Sequence, residues 1–404
     1  MIHKVIIPIA GYGTRMYPAT KVLPKALFPM VDPRDNLVKP ILYMLCDTVL
    51  HALENQSGYT VEKHRSKLKL IIVIQSEQRP FIEHFFFDHS LDHVYGKGGE
   101  DAVMMQQIER IRYISQFIEL VVQEEQAGLG HAIMICEPYV RVMKNDKNNS
   151  VGRDVNRGSN IEDENDGEEE DADDDAEEDE SFMLMLGDHI YVTSDAAQGS
   201  CIHQMLTVYN SHEQQQQRRR GVRNGKQLSM TSVSATVESE LSVNGIVKMK
   251  RDTLDDAGRI FTVETTFEKP SAQTAEQLDL FLDSNLLHDG PLSHIENEHG
   301  RETTERQCLC FFGIDILTMK AFDYLRESWT VLQHENRSRS RKEELNLRMH
   351  CMKQLMESES DGMLGVFLSG RRCDTGLPVP YLQSMNTVFN NGGGKLGGKL
   401  GGKR

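Results

Sequence analysis

A glycine-containing turn near the start of the chain carries residue types that bind phosphate. A strand-like run ends at Ala10, and Gly11, Gly13, Thr14 and Arg15 follow it. Glycines let the backbone approach an anion closely and reach positive φ, and consecutive N–H groups in such a turn form an anion-binding concavity. Arg15 adds a fork of charged donors for phosphate oxygens. The turn predicts a phosphate site, with a plain strand–loop connection as the alternative.

Two common phosphate-binding patterns do not match this turn. The dinucleotide fingerprint needs a third glycine where Met16 stands, and a Walker A sequence is absent. Lys25 follows Pro24 in a segment with several prolines, which predicts a loop position. Lys25 is therefore either a surface lysine or a cation that stabilises charge on a phosphate.

Two carboxylates follow later in the chain. Asp188 comes directly after the apolar run 182–187, which has the character of a buried strand. A carboxylate at the carboxyl end of a parallel strand faces the crevice where α/β sheets bind ligands, although an aspartate there can also serve as a cap. Asp374 supplies a second carboxylate.

The order of these motifs resembles the bacterial type of UTP–glucose-1-phosphate uridylyltransferase, a family of nucleotidyltransferases. The first block is A-G-x-G-T-R-M-x-P-A-T-K-x-x-P-K at residues 10–25, and Q-E-E-Q-A-G-L-G-H-A follows at residues 123–132. L-G-D at 186–188, F-E-K-P at 267–270 and R-C-D-T-G at 372–376 come later in the same order as in the family. With the flanking strand and helix patterns, the resemblance extends from residue 4 to about residue 385.

The resemblance implies an activity that joins a hexose-1-phosphate to a nucleoside triphosphate and releases pyrophosphate. Arg15 and Lys25 would stabilise charge on the transferring phosphate, and Asp188 and Asp374 would bind Mg²⁺. The nucleotide would contact the glycine turn and the 123–132 block, through Ala10, Gly11, Gly13, Thr14, Gln123 and Gly128. The sugar phosphate would contact Gly245, Glu268 and Lys269, with a hairpin turn as the alternative role for Gly245. His131 is expected only to pack on a helix face.

Two positions depart from the family pattern. Ala26 stands where the family usually has a glutamate near the base, and His189 stands where it often has a second aspartate. Ala26 leaves open thymidylyl, guanylyl or broad UDP-sugar specificity. A non-catalytic subunit that senses nucleotide sugars is the alternative outside the enzymes.

Alternating strands and helices must position these residues. Candidate strands cover 4–10, 68–74, 118–123 and 182–186, and helical patterns at 40–53, 79–88 and 130–136 lie between them. Such alternation predicts a parallel sheet with helices on both faces. Strand patterns after residue 229 without intervening helices predict antiparallel additions. We therefore expect a Rossmann-like three-layer α/β domain with a mixed, mainly parallel sheet.

Composition restricts the class of protein further. The net charge is −16, but residues 154–180 hold 16 acidic residues and one arginine, which leaves about −1 for the rest and no broad basic face for nucleic acid. No apolar run is long enough to span a membrane. The seven cysteines are odd in number and mostly lie in apolar runs, which predicts reduced, buried thiols.

The predicted organisation is one nucleotidyltransferase domain at residues 1–390. A disordered acidic insertion at 145–180 and a Gln/Arg-rich insertion at 211–228 interrupt it, and a flexible Gly/Lys tail occupies 391–404. Because the first predicted strand begins almost at once, we expect no cleavable targeting peptide. We expect a cytoplasmic protein with small-molecule substrates and no nucleic-acid or membrane partner. A homo-oligomer is one option for its assembly.

Overall fold

A computed structural model gives the structure of this 404-residue chain. It describes residues 1–32, 34–56, 60–95, 102–141, 181–193, 198–220, 228–283, 304–340, 342–358 and 362–391. The acidic segment 145–180 and the tail after residue 391 lie outside the described residues. No helix in the described part of the chain is long and apolar enough to cross a membrane.

Thirteen strands are present among the described residues. In chain order, β1 to β13 are Lys4–Pro8, Pro29–Val31, Val38–Pro40, Lys69–Ile74, Ile118–Val122, Phe182–Met185, His189–Thr193, Met230–Val237, Gly245–Met249, Ile260–Glu268, Gln307–Leu317, Leu364–Phe367 and Gly370–Asp374. Nine of them form one sheet in the order β5-β4-β1-β6-β11-β8-β12-β10-β9. The pairs β2–β3 and β7–β13 form two small antiparallel sheets.

Helices cover both faces of the large sheet. In chain order, α1 to α12 are Ile41–Glu54, Val61–His64, Arg79–Phe87, Asp92–Tyr95, Ala102–Ser115, Leu129–Met134, Glu137–Val140, Cys201–Arg220, Ala272–Gln277, Lys320–Asn336, Lys353–Ser358 and Pro378–Asn391. Neighbouring residues of β1 point to opposite faces, so that Ile7 packs with α1 and α8 and Ile6 packs with α6 and α10. The three-layer arrangement is therefore as predicted.

The parallel half of the sheet creates the edge where ligands bind in α/β folds. β1 pairs in parallel with β4 and β6, and β4 pairs in parallel with β5. The carboxyl ends of these four strands share one edge, and the residues that follow them are the glycine turn, Gln75, Gln123 and Asp188. The other half is mainly antiparallel, because β11 runs antiparallel to both β6 and β8. The sheet is thus mixed, and its purely parallel part is confined to one half.

Three local predictions differ from the structure. Pro40 was expected in the first turn of α1, but its extended backbone ends β3 opposite Pro29 and precedes the helix. Residues 211–220 continue α8, where the sequence predicted a loop, because Gln and Arg have high helix propensity. Residues 221–227 are not described. The sequence of residues 343–356 also predicts a helix, but the structure has a π-helical turn there, Arg348–Met352, followed by α11.

The cysteines agree with the sequence prediction. All seven are free thiols, and all seven are buried. Burial raises the pKa of Cys201 to about 12, which keeps this thiol protonated and unreactive at neutral pH. The cysteines serve the packing of the core.

Candidate active site

A cleft of about 280 Å³ lies at the carboxyl edge of the parallel strands. It brings together six of the residues singled out from the sequence. These are Ala10, Gly11, Lys25, Gln123, Gly128 and Asp188. The segments that follow β1, β5 and β6 all begin at this edge of the sheet. Residues more than a hundred positions apart in the sequence therefore lie on one concave surface.

The glycine turn is held open by hydrogen bonds from outside it. Gln78 Nε2 donates to the carbonyl oxygens of Ile9 at 3.2 Å and Gly11 at 3.4 Å. Gly13 has φ 63°, and a Cβ there would lie 2.9 Å from Cγ2 of Thr20. A Cβ at Gly11 would meet no atom within 4 Å. Gly13 is therefore required by the fold of the turn, whereas the space beside Gly11 remains open to a ligand.

Gln123 is fixed from two sides at the far end of the cleft. Its Nε2 donates to the carbonyl oxygen of Gly128 at 3.2 Å and contacts His131 Nδ1 at 3.2 Å. Burial lowers the pKa of His131, so the neutral ring can accept this hydrogen bond. The ring packs against Trp329 with a centroid separation of 4.9 Å. His131 packs as expected, and it also orients Gln123, whose Oε1 accepts no hydrogen bond from the described residues.

Lys25 and Asp188 form an ion pair inside the cleft. Lys25 Nζ lies 3.0 Å from Asp188 Oδ2, and His189 Nδ1 lies 3.3 Å from Asp188 Oδ1. Burial raises the pKa of Asp188, but the charges of His189 and Lys25 and the hydrogen bond from Lys25 outweigh it and bring the pKa to about 2. Burial also lowers the pKa of His189, so its ring is neutral at pH 7. Because the His189 ring is neutral at pH 7, Lys25 is the neighbour that supplies positive charge to Asp188 at that pH.

Asp374 joins this pair through the β7–β13 ribbon. Asp374 lies opposite His189 in that ribbon, and Thr375 donates to the carbonyl oxygen of Asp188 through its N–H and its hydroxyl. A Cβ at Gly376 would lie 3.0 Å from Asp374 Oδ1, 3.3 Å from Asp188 Oδ2 and 3.5 Å from Lys25 Nζ. The carboxylates of Asp374 and Asp188 and the ammonium of Lys25 thus lie around one point, the position that a Cβ would take if residue 376 were not a glycine.

The residues assigned to the sugar phosphate form a second group on β9 and β10. Gly245 and Glu268 are directly opposite each other in the antiparallel pairing of these strands. Lys269 follows at positive φ, and its Nζ lies 3.7 Å from Glu268 Oε1. Gly245 is the first residue of β9, and a Cβ there would collide with Nη1 of Arg348. Close approach of a side chain, rather than a turn, explains this glycine.

Seven predicted residues lie outside the cleft lining, and two of them, Thr14 and Arg15, belong to neither of the charged groups described above. Thr14 and Arg15 form an exposed 3₁₀ turn, Thr14–Met16, beside the glycine turn. Within the part of the chain that the structure describes, Arg15 has no ion-pair or hydrogen-bond partner. Its guanidinium is free to reach a bound phosphate, but the structure does not bring it to Asp188.

Sequence reasoning missed four residues of this region. Gln126 Nε2 donates to the carbonyl oxygen of Ala10 at 2.8 Å, and Glu344 lines the cleft beside Gly128. Gly376 and Arg348 are the other two. Gln126 and Gly376 lie inside recognised motif blocks and could have been identified there. Nothing near Glu344 or Arg348 signals a site, because tertiary contacts alone bring their segment against Gly128 and Gly245.

A larger cavity of about 490 Å³ lies beside α1 and α5. Its charged side chains pair with one another, since Asp47 binds both Arg34 and Arg110, and Lys39 binds Asp35. None of the sequence-predicted site residues lines it. We attribute a structural role to this network of ion pairs.

Comparisons with known proteins bear on the fold and on the family resemblance. No family model matches the sequence. The chain is 26% identical over 276 residues to a UTP–glucose-1-phosphate uridylyltransferase of Staphylococcus haemolyticus, and the match covers 68% of this chain and 67% of that relative. A solved UDP-glucose pyrophosphorylase complexed with UDP-glucose has a TM-score of 0.57 at 18% identity, covering 96% of this chain and 99% of the other.

A UTP-bound UGPase from Acinetobacter baumannii has a TM-score of 0.56 at 17% identity, covering 96% of this chain and 93% of that structure. The fold predicted from the sequence is confirmed by these structures. The resemblance predicted from the motif order is confirmed by the named relatives.

Proposed function

We propose that this chain is a UTP–glucose-1-phosphate uridylyltransferase, which forms UDP-glucose and pyrophosphate from UTP and glucose-1-phosphate. The observation that carries the proposal is the convergence of Lys25, Asp188 and Asp374 around Gly376 at the carboxyl edge of the parallel strands. The glycine turn and Gln123 border the same cleft. A cleft of this kind can hold a nucleoside triphosphate with its phosphates beside the charged group.

The nucleotide would lie between the glycine turn and Gln123. Backbone N–H groups of residues 11–14 would donate to the triphosphate, with Arg15 and Lys25 adding positive charge. The Gln123 acceptor would face the base, where the ring N–H of uracil can donate to it. Gly128 is required beside this position by packing, because a Cβ would lie 2.8 Å from the carbonyl oxygen of Leu345 and 2.9 Å from Cβ of Glu344.

The sugar phosphate would lie toward β9 and β10. Glu268 would accept hydroxyl groups of the hexose, Gly245 would expose backbone to it, and Lys269 would bind its phosphate. An oxygen of that phosphate attacks the α-phosphorus of UTP in line, and the bond to the leaving pyrophosphate breaks. Such chemistry depends on positioning and charge neutralisation and needs no covalent intermediate with the protein.

The acidic residues fit a magnesium ion. Asp188 and Asp374 provide carboxylate oxygens around one point, and Mg²⁺ is typically held by one or two carboxylates together with substrate phosphates. Among the described residues, no group of three or more His, Cys, Asp or Glu side chains could hold a metal ion by itself. We therefore expect binding to depend on the substrates. When bound, the ion would neutralise charge on the reacting phosphates.

The assay that tests this proposal runs the reaction in reverse. Purified protein is incubated with pyrophosphate, Mg²⁺ and a panel of UDP-, dTDP- and GDP-sugars, and the released sugar-1-phosphate is measured. Release of glucose-1-phosphate from UDP-glucose at the highest kcat/KM is expected. Preference for another nucleotide sugar would reassign the specificity, consistent with Ala26 in place of the glutamate. No turnover with any of them would support the regulatory alternative.

A further inference from the structure

The side chain of Arg348 lies within the group of residues assigned to the sugar phosphate. Its Nη1 donates to Glu268 Oε2 at 3.2 Å, and it lies over the backbone of Gly245 so closely that a Cβ there would collide with it. The guanidinium carbon lies 4.1 Å from the centroid of the Phe311 ring. Arg348 therefore lies between the two strand residues predicted to contact the hexose.

The local fold holds Arg348 in this position. It begins the π-helical turn Arg348–Met352, and its backbone N–H donates to Oδ1 of Asn346 at 2.9 Å. Just before it, the N–H of Leu345 donates to the carbonyl oxygen of Ala127 at 2.7 Å. The segment that carries Arg348 is thus anchored to the loop that forms one wall of the cleft. Short π-helical turns of this kind are frequent at functional sites.

The charges around Glu268 are not balanced. Glu268 Oε2 forms an ion pair with Arg348, and Glu268 Oε1 lies 3.7 Å from Nζ of Lys269. One carboxylate therefore forms ion pairs with two cations. No other salt bridge is present at Arg348 or Lys269 among the described residues. The side chains of Glu268, Lys269 and Arg348 together carry one excess positive charge, and the buried carboxyl of Asp315 is a further electrostatic neighbour of Arg348. Two cations beside one carboxylate suit a dianionic phosphate better than a neutral sugar ring alone.

The guanidinium of Arg348 also has N–H donors that do not bind Glu268. Arginine has five N–H donors, and Arg348 uses one of them on Glu268. Its face rests on Phe311, and its side chain is 23% exposed, so the remaining donors can reach a ligand. A planar fork of N–H groups matches two oxygens of a phosphate, which a lysine ammonium cannot do.

We propose that Arg348 is a substrate-binding residue for the phosphate of the hexose-1-phosphate. Without substrate it pairs with Glu268. When the sugar phosphate binds, the guanidinium exchanges this carboxylate for the phosphate, and Glu268 becomes available to sugar hydroxyls. This inference rests on the proposed function, because it assigns a further residue to the same sugar site.

Steady-state kinetics of Arg348→Gln and Arg348→Lys test this assignment, with glucose-1-phosphate and UTP varied in turn. Loss of a charge-assisted hydrogen bond should raise KM for glucose-1-phosphate about tenfold to a hundredfold in Arg348→Gln, while KM for UTP stays within about twofold. Arg348→Lys should fall in between. Arg251→Gln is the matched control, because Arg251 forms a comparable pair with Asp279 on the surface.

The outcomes separate this inference from the proposed function. If the wild-type protein does not turn over, the proposed function fails, and calorimetric titration of glucose-1-phosphate into the wild type and Arg348→Gln still measures the phosphate contact. The inference is overturned if KM and affinity for glucose-1-phosphate are unchanged. It is equally overturned if both KM values rise together, since that would indicate a structural role.

Discussion

Gly376→Ala should impair catalysis while leaving the fold intact. The added methyl group would lie 3.0 Å from Asp374 Oδ1, 3.3 Å from Asp188 Oδ2 and 3.5 Å from Lys25 Nζ. The first of these distances is shorter than an ordinary carbon–oxygen contact, so Asp374 must move by a few tenths of an ångström. The methyl group would also fill the point that the two carboxylates share.

The expected magnitude follows from these distances. A misplacement of about 1 Å at a reacting centre can cost roughly a hundredfold in rate. A smaller displacement combined with lost access for a cation should lower kcat by about tenfold to a hundredfold. Gly376 is not among the glycines with positive φ. Alanine is therefore tolerated by the backbone, and the free energy of unfolding should change by no more than about 1 kcal/mol.

The assay measures pyrophosphorolysis of UDP-glucose at increasing Mg²⁺, together with thermal unfolding. Val379→Ala is the control, because Val379 lies three residues away with 65% of its surface exposed. It should retain wild-type kcat. A Gly376→Ala protein with kcat within twofold of the wild type at every Mg²⁺ concentration would refute the role assigned to this group of charges.

Three further perturbations test other parts of the site and fold. Gln123→Ala should raise KM for UTP about tenfold without changing KM for glucose-1-phosphate, and equal effects on both would contradict its contact with the base. Lys25→Met should lower kcat by roughly a hundredfold. It should also shift the acidic limb of the pH–rate profile to higher pH, because Asp188 loses the positive charge of Lys25. An acidic limb at the same pH as in the wild type would contradict this. Burial raises the pKa of Asp315 to about 6. Between pH 4 and pH 6 the native state therefore binds more protons at this residue than the unfolded state does. The contribution of Asp315 to the free energy of unfolding should fall by about 3 kcal/mol as pH rises through that range. Asp315→Asn should remove this dependence in urea unfolding at pH 4, 5 and 7, and an unchanged slope would show that another group is responsible.

Much of the nucleotide side of the site could be predicted from local sequence. The glycine turn, Gln123 and Asp188 each follow a strand whose apolar run is evident, and parallel strands bring their carboxyl ends to one edge. The family resemblance supplied Lys25 and Asp374. The structure places both beside Asp188, through an ion pair for Lys25 and through the β7–β13 ribbon for Asp374.

The remainder depends on contacts between distant segments. Arg348 meets Glu268 across 80 residues of chain, and the π-helical turn that begins at Arg348 has no recognisable sequence pattern. The position of β11 between β6 and β8 depends on pairings across the whole second half of the chain. Helix α8 extends through residues 211–220 because helix propensity prevailed over the polar composition that suggested a loop.

The most direct test of the central claim compares the wild type with Asp188→Asn in a Mg²⁺ titration of UDP-glucose pyrophosphorolysis. The wild type should release glucose-1-phosphate only when Mg²⁺ is present. Asp188→Asn should keep its thermal stability and lose turnover by roughly a thousandfold, because an amide cannot replace the carboxylate beside the reacting phosphates. Near-normal turnover by Asp188→Asn, or full wild-type activity in the presence of a chelator, would contradict the claim.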